Sequence, residues 1–86
     1  MDKYYSVYVK TDCPYCKRAV SFLDERNLKF IVIVVDKNVE FLEHMKQQTN
    51  HKTVPIVLEH HQNMTRLIGG SDDLESYLNS PEFKND

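Results

Sequence analysis

The sequence predicts an α/β domain in the order strand, helix, strand, helix, β-hairpin, helix, and three observations carry that prediction. A strand-like segment, an amphipathic helix and a second strand follow one another with short joints, making a βαβ unit that should cross over right-handedly. The second strand, Lys29 to Val35, is apolar on both faces, as strands are in parallel sheets covered on both sides. Two further strand-like runs flank a polar turn and lead into a short final helix.

Each element has its own warrant. Tyr4 to Lys10 is rich in β-formers and places Tyr5, Val7 and Val9 on one side. Pro14 to Asn27 repeats apolar residues at helical spacing (Cys16, Ala19, Val20, Leu23), with Pro14 in the first turn, where its missing N–H costs nothing. Val39 to Thr49 reads as a second helix whose buried stripe is Phe41, Leu42 and Met45. Thr53 to Glu59 and Met64 to Ile68 read as the hairpin, turning at His60 to Asn63. Ser71 to Leu78 closes the chain with Leu74, Tyr77 and Leu78 inward and Ser71 or Asp72 as N-cap; Ser80-Pro81 ends it, and residues 81–86 are expected to fray.

Composition narrows the function classes. At 86 residues the chain is long enough for one domain, spanning residues 1–86, and too short for a second core. A net charge of −2 without a basic stripe argues against nucleic acid. The longest apolar run, Phe30 to Val35, is far below the roughly 20 residues a membrane span needs. The opening residues, Met1 to Tyr5, show no signal-peptide core, which points to a reducing, cytoplasmic setting.

The chemistry-bearing feature is Cys13-Pro14-Tyr15-Cys16, which holds the only two cysteines. At i and i+3 on a helix start they share a face and lie within disulfide reach. Cys13 falls at the positive end of the helix dipole, which favours an anion, so it reads as an exposed nucleophile. Cys16, one turn in, reads as a shielded resolving thiol. Lys10 stands three residues before Cys13, where it would add positive charge or simply be solvated. The chain's only glycines, Gly69-Gly70, precede the last helix, where backbone turns sharply or lets an anionic ligand approach.

Cys13-Pro14-Tyr15-Cys16, Thr53-Val54-Pro55 and Gly69-Gly70-Ser71-Asp72-Asp73, in that order on these elements, resemble the dithiol glutaredoxins. The resemblance implies the thioredoxin-like fold, a four-stranded mixed sheet flanked by three helices, and glutathione as reducing cosubstrate. It implies that Pro55 is a cis proline and that the Val54 backbone pairs with the cysteine of glutathione. By the same resemblance Lys52 and Lys10 would attract glutathione carboxylates, and Gly70, Ser71 and Asp72 would hold its γ-glutamyl end through the Ser71 N–H and the Asp72 carboxylate. Thr53 would line the groove; Tyr15 reads equally as groove wall or as a surface aromatic. Partners would be disulfide-containing or glutathionylated proteins, with ribonucleotide reductase as one client class, and the chain would act as a monomer.

Blander readings apply elsewhere. Lys17 and Arg18 read as a solvated helix face, and Asp73 as a first-turn partner of the helix dipole. His44, His51, His60 and His61 show no general-base spacing. Thirteen residues separate Pro55 from Gly69, more than in typical small glutaredoxins, and Glu59-His60-His61-Gln62-Asn63 fits an exposed hairpin tip. Three other functions compete with the glutathione-dependent one. They are a thioredoxin-like donor served by thioredoxin reductase, a glutathione-assisted iron–sulfur module, and a structural zinc site for which Cys13 and Cys16 give only two of four ligands. Pro14 resembles the variants that favour redox work over cluster binding, so no metal is expected.

Overall fold

The computed structural model describes residues 3–36, 39–49, 53–81 and 83. The elements are β1 (Lys3–Val9), α1 (Pro14–Glu25), β2 (Lys29–Val34), α2 (Val39–Thr49), β3 (Ile56–His61), β4 (Met64–Gly69) and α3 (Ser71–Leu78). Among the described residues the four strands form one mixed sheet in the order β2-β1-β3-β4. β1 runs parallel to β2 and antiparallel to β3, and β3 pairs with β4 as a hairpin. The element order is the expected one, and the architecture is the thioredoxin-like one that the motif resemblance implied.

The alternation read in β1 decides how the layers stack. Tyr5, Val7 and Val9 face α1 and α3 and form the main core with Cys16, Ala19, Leu23, Leu74 and Leu78. Leu23 and Leu74 have no exposed surface, and each contributes roughly 2 kcal/mol by burial. Tyr8, on the opposite face, meets Phe41 of α2 with ring centroids 5.8 Å apart, so α2 covers the other side of the sheet.

α1 ends at Glu25, two residues before its expected end. Asn27 turns left-handed at φ 57, its N–H reaches Asp24 O, and the Leu28 N–H reaches Leu23 O at 3.1 Å. These bonds satisfy the last carbonyls as a Schellman motif, in which asparagine tolerates the left-handed conformation.

Two further expectations are corrected. β2 is apolar on both faces and is expected to be covered on both; it is instead one of the two edge strands, with Ile31, Val32 and Val34 exposed by 51%, 44% and 59%. Of the core-facing β2 residues only Phe30 packs against the main cluster, whose strand residues come from β1 and β3. The hairpin tip is also shorter than predicted. β3 runs on through His60 and His61, and the turn is Gln62-Asn63, with Gln62 at φ 61. Glu59, expected on an exposed tip, is 7% exposed: it lies opposite Tyr5 and accepts hydrogen bonds from the hydroxyls of Tyr5 (2.8 Å) and Tyr77 (2.6 Å).

Candidate active site

The β1–α1 connection sets Cys13 at the end of the sheet. Asp12 adopts φ 58 and turns the chain, and Cys13 then takes the N-cap position of α1 in extended conformation. Its Sγ accepts the backbone N–H of Cys16 at 3.3 Å. A side-chain acceptor is what the N-cap position requires, and sulfur in its anionic form accepts more strongly than a thiol. Cys13 is part-exposed and Cys16 is 3% exposed; both are free thiols. Burial, with a smaller contribution from the hydrogen bond to Cys13, pushes the Cys16 thiol up to about 11, against an opposing pull from Lys10.

The other expected groups divide between two hollows. A groove of about 470 Å³ is lined by Tyr15, Thr53, Val54, Pro55, Gly70, Ser71, Asp72 and Asp73. The Val54–Pro55 peptide bond is cis. Tyr15, 60% exposed, stands on the groove wall, which favours the first of its two readings. Lys10 is not part of this groove: it lines a separate hollow with Val9, Cys16, Lys17, Val20 and Val32, and its backbone and charge act on Cys16. Lys52 and His51 lie outside the described residues.

The start of α3 departs from the expected capping. The N-cap is Gly70, not Ser71 or Asp72, and the Gly70 N–H donates to the Asp73 carboxylate at 3.0 Å. That is the reach-back half of a capping box, legible in the three-residue spacing of Gly70 and Asp73. Gly69 is required twice over: its φ is +122, and a side-chain carbon there would lie 2.9 Å from Asp73 Cβ. Part of the glycine pair's meaning is thus close helix–strand packing.

Arg18, read as a solvated side chain, bridges two helices. It donates to Asp72 at 3.3 Å and to Glu75 at 3.0 Å, tying α1, which carries the cysteines, to α3, which lines the groove. No local signal announces a partner 54 residues away. Among the described residues no three His, Cys, Asp or Glu side chains converge as a metal-ligand set. No helix there is long and apolar enough to cross a membrane.

What this arrangement can do is thiol–disulfide exchange: a part-exposed sulfur at a helix N-terminus, a buried second thiol one turn away, and an open groove beside them. Comparison with known proteins bears on that reading. The sequence model of the Glutaredoxin family matches residues 6–61. Glutaredoxin 3 of Escherichia coli (strain K12) is 35% identical over 68 residues, covering 79% of this chain and 77% of that one. Among solved structures, the dithiolic glutaredoxin of Trypanosoma brucei brucei superposes with a TM-score of 0.67 at 31% identity, over 84% of this chain and 73% of that one. The glutaredoxin-like NrdH-redoxin of Escherichia coli, described as having a thioredoxin-like activity profile, superposes with a TM-score of 0.62 over 91% of this chain and 99% of that one. At 21% identity it shares the fold.

Proposed function

The chain belongs to the glutaredoxin family and is a thiol–disulfide oxidoreductase, and from that premise we propose that glutathione is its reducing cosubstrate and that Cys13 is the attacking thiol. The observation that carries the proposal is the groove itself, which gathers Tyr15, Thr53, Val54, Pro55, Gly70, Ser71 and Asp72 beside the start of α1. Its volume of about 470 Å³ suits a small ligand such as a tripeptide. The Val54 backbone would pair with the cysteinyl unit of glutathione, as an added strand does. The Ser71 N–H and Asp72 would take the γ-glutamyl carboxylate and amine. Lys52, outside the described residues, is proposed for the glycyl carboxylate.

The reaction follows from the inequality of the two thiols. Cys13 as thiolate attacks a sulfur of the substrate disulfide; that S–S bond breaks, one thiolate leaves, and a mixed disulfide remains on Cys13. On a glutathionylated protein the attacked sulfur is that of glutathione, so the protein thiolate leaves. A second glutathione thiolate then attacks the mixed disulfide, releasing glutathione disulfide and the Cys13 thiolate, and Cys16 takes no part. On a protein disulfide, Cys16 must lose its proton and attack Cys13, expelling the second client thiolate and leaving a Cys13–Cys16 disulfide. Two glutathiones then reduce it. Once Cys13 is bonded to substrate, its charge and hydrogen bond no longer raise the Cys16 thiol, and the opposing pull of Lys10 remains. Substrates in this reading are disulfide-bonded and glutathionylated proteins, ribonucleotide reductase among the candidate clients, in a cytoplasmic setting.

The test is turnover of a glutathionylated peptide coupled to glutathione reductase. Wild type and Cys16→Ser should turn over and Cys13→Ser should not. Turnover by Cys13→Ser, or activity with thioredoxin reductase alone, overturns the proposal.

A further inference from the structure

The hollow beside Cys16 is distinct from the glutathione groove and shares no lining residue with it. It encloses about 290 Å³ between β1, β2 and the first turns of α1. Val9, Val20 and Val32 give it apolar walls, Cys16 lies in its lining, and Lys10 and Lys17 are its only charged residues. Val34, two positions along from Val32 and so on the same face of β2, carries the apolar surface on along the sheet edge; Val32 and Val34 are 44% and 59% exposed. The chain as a whole carries a net charge of −2, yet this surface is locally basic. Both lysines are exposed, and neither has an ion-pair partner among the described residues.

An apolar hollow under unpaired positive charge, next to a dithiol, is a docking surface of definite chemistry. We propose that it seats the client polypeptide: a segment flanking the client disulfide places an apolar side chain against Val9, Val20 and Val32 and a carboxylate against Lys10 and Lys17. The inference rests on the thiol–disulfide oxidoreductase activity and not on the glutathione reading. Its consequence is a division of the site by strand. Client binds over the β1–β2 half of the sheet, glutathione binds beside the residues that precede β3 and follow β4, and Cys13 lies between, so neither ligand has to leave for the other to react.

The test uses the reduced full chain without glutathione, so that its outcome is independent of the cosubstrate. In a single turnover the Cys13–Cys16 dithiol becomes a disulfide and the substrate disulfide becomes two thiols, with electrons and protons conserved. Three substrates are compared: a disulfide peptide with leucine and glutamates beside its cysteines, the same peptide with lysines for glutamates, and dithiodiethanol. The glutamate peptide should react at least fivefold faster than the lysine peptide at low ionic strength. The preference should fade at 1 M salt, where screening acts within about 3 Å. With every rate taken relative to dithiodiethanol, which absorbs any change in the thiols themselves, Lys17→Glu should abolish or invert the preference and Val32→Ser should slow the glutamate peptide severalfold. Equal rates for the two peptides overturn the proposal. So does a Lys17→Glu effect common to all three disulfides, or an equal effect from Lys46→Glu on α2, away from the hollow.

Discussion

At the scale of single residues, the two cysteines differ by one turn of helix and by solvent. Cys13 caps α1 and is reachable; Cys16 is buried, and its thiol is pushed up to about 11 first by burial. Two results follow from the sign of that shift. A thiol held above its ordinary value of about 8.5 stabilises the fold in full below that value, and the contribution is lost as pH rises toward about 11. In a Cys13→Ser variant the contributions of Cys13 disappear and burial remains. Alkylation of Cys16 by iodoacetamide should therefore titrate with a midpoint above about 8.5 and no higher than about 11; a midpoint at or below the ordinary thiol value contradicts the account. Gly69 is the other residue whose chemistry is fully determined. Gly69→Ala must place a side chain at φ +122 and against the Asp73 carboxylate that holds the Gly70 N–H. The cost should be about 1–3 kcal/mol, read as a lower urea midpoint. An unchanged midpoint would show that the turn relaxes without strain.

At the scale of elements, Glu59 joins three pieces of the fold. From β3 it accepts the Tyr5 hydroxyl of β1 and the Tyr77 hydroxyl of α3, and Arg66 of β4 stands over the Tyr77 ring at 4.8 Å. Burial and the neighbouring carboxylate push the Tyr5 hydroxyl far above the ordinary phenol value, so it remains a donor throughout the working pH range. Glu59→Ala removes the acceptor and strands two donors at a largely buried position, which should cost about 3 kcal/mol. Tyr5→Phe, which removes a single donor, should cost roughly 1 kcal/mol. Urea unfolding of both variants checks the ranking, and equal losses would mean that the Tyr5 bond carries all of the Glu59 contribution and the Tyr77 bond none. The same residue shows where sequence reading stops. Its neighbours His60, His61, Gln62 and Asn63 are polar and suggested a tip, whereas its acceptor role is set by tyrosines 54 and 18 positions away. The periodicities of α1, α2 and α3 were legible because each helix carries its buried stripe within a dozen residues. The edge position of β2 was not, because hydrophobicity on two faces does not say how many neighbours a strand has.

At the scale of the whole molecule, the fold places β1 second from the sheet edge, so the cysteines at its end have a hollow on either side. The motifs at residues 13–16, 53–55 and 69–73 were legible as short strings, and the chain's return through β3 and β4 brings the last two together as one groove. What the strings did not carry was the coupling between them, which runs through Arg18. Its ion pairs to Asp72 and Glu75 are solvent-exposed, and exposed pairs contribute at most about 1 kcal/mol each. Arg18→Ala should therefore leave the urea midpoint nearly unchanged. Its effect should fall on ligand binding: Asp72 is 83% exposed, and if it takes the γ-glutamyl amine as proposed, its side chain would have to be ordered anew at each binding event without the guanidinium. Loss of that preorganisation should raise KM for glutathione roughly two- to fivefold with kcat unchanged. Steady-state kinetics of Arg18→Ala and Arg18→Lys, in the coupled glutathione assay, separates the possibilities. A fall in kcat would place Arg18 at the sulfur chemistry instead, and a fall in KM would mean that Arg18 competes with glutathione for Asp72.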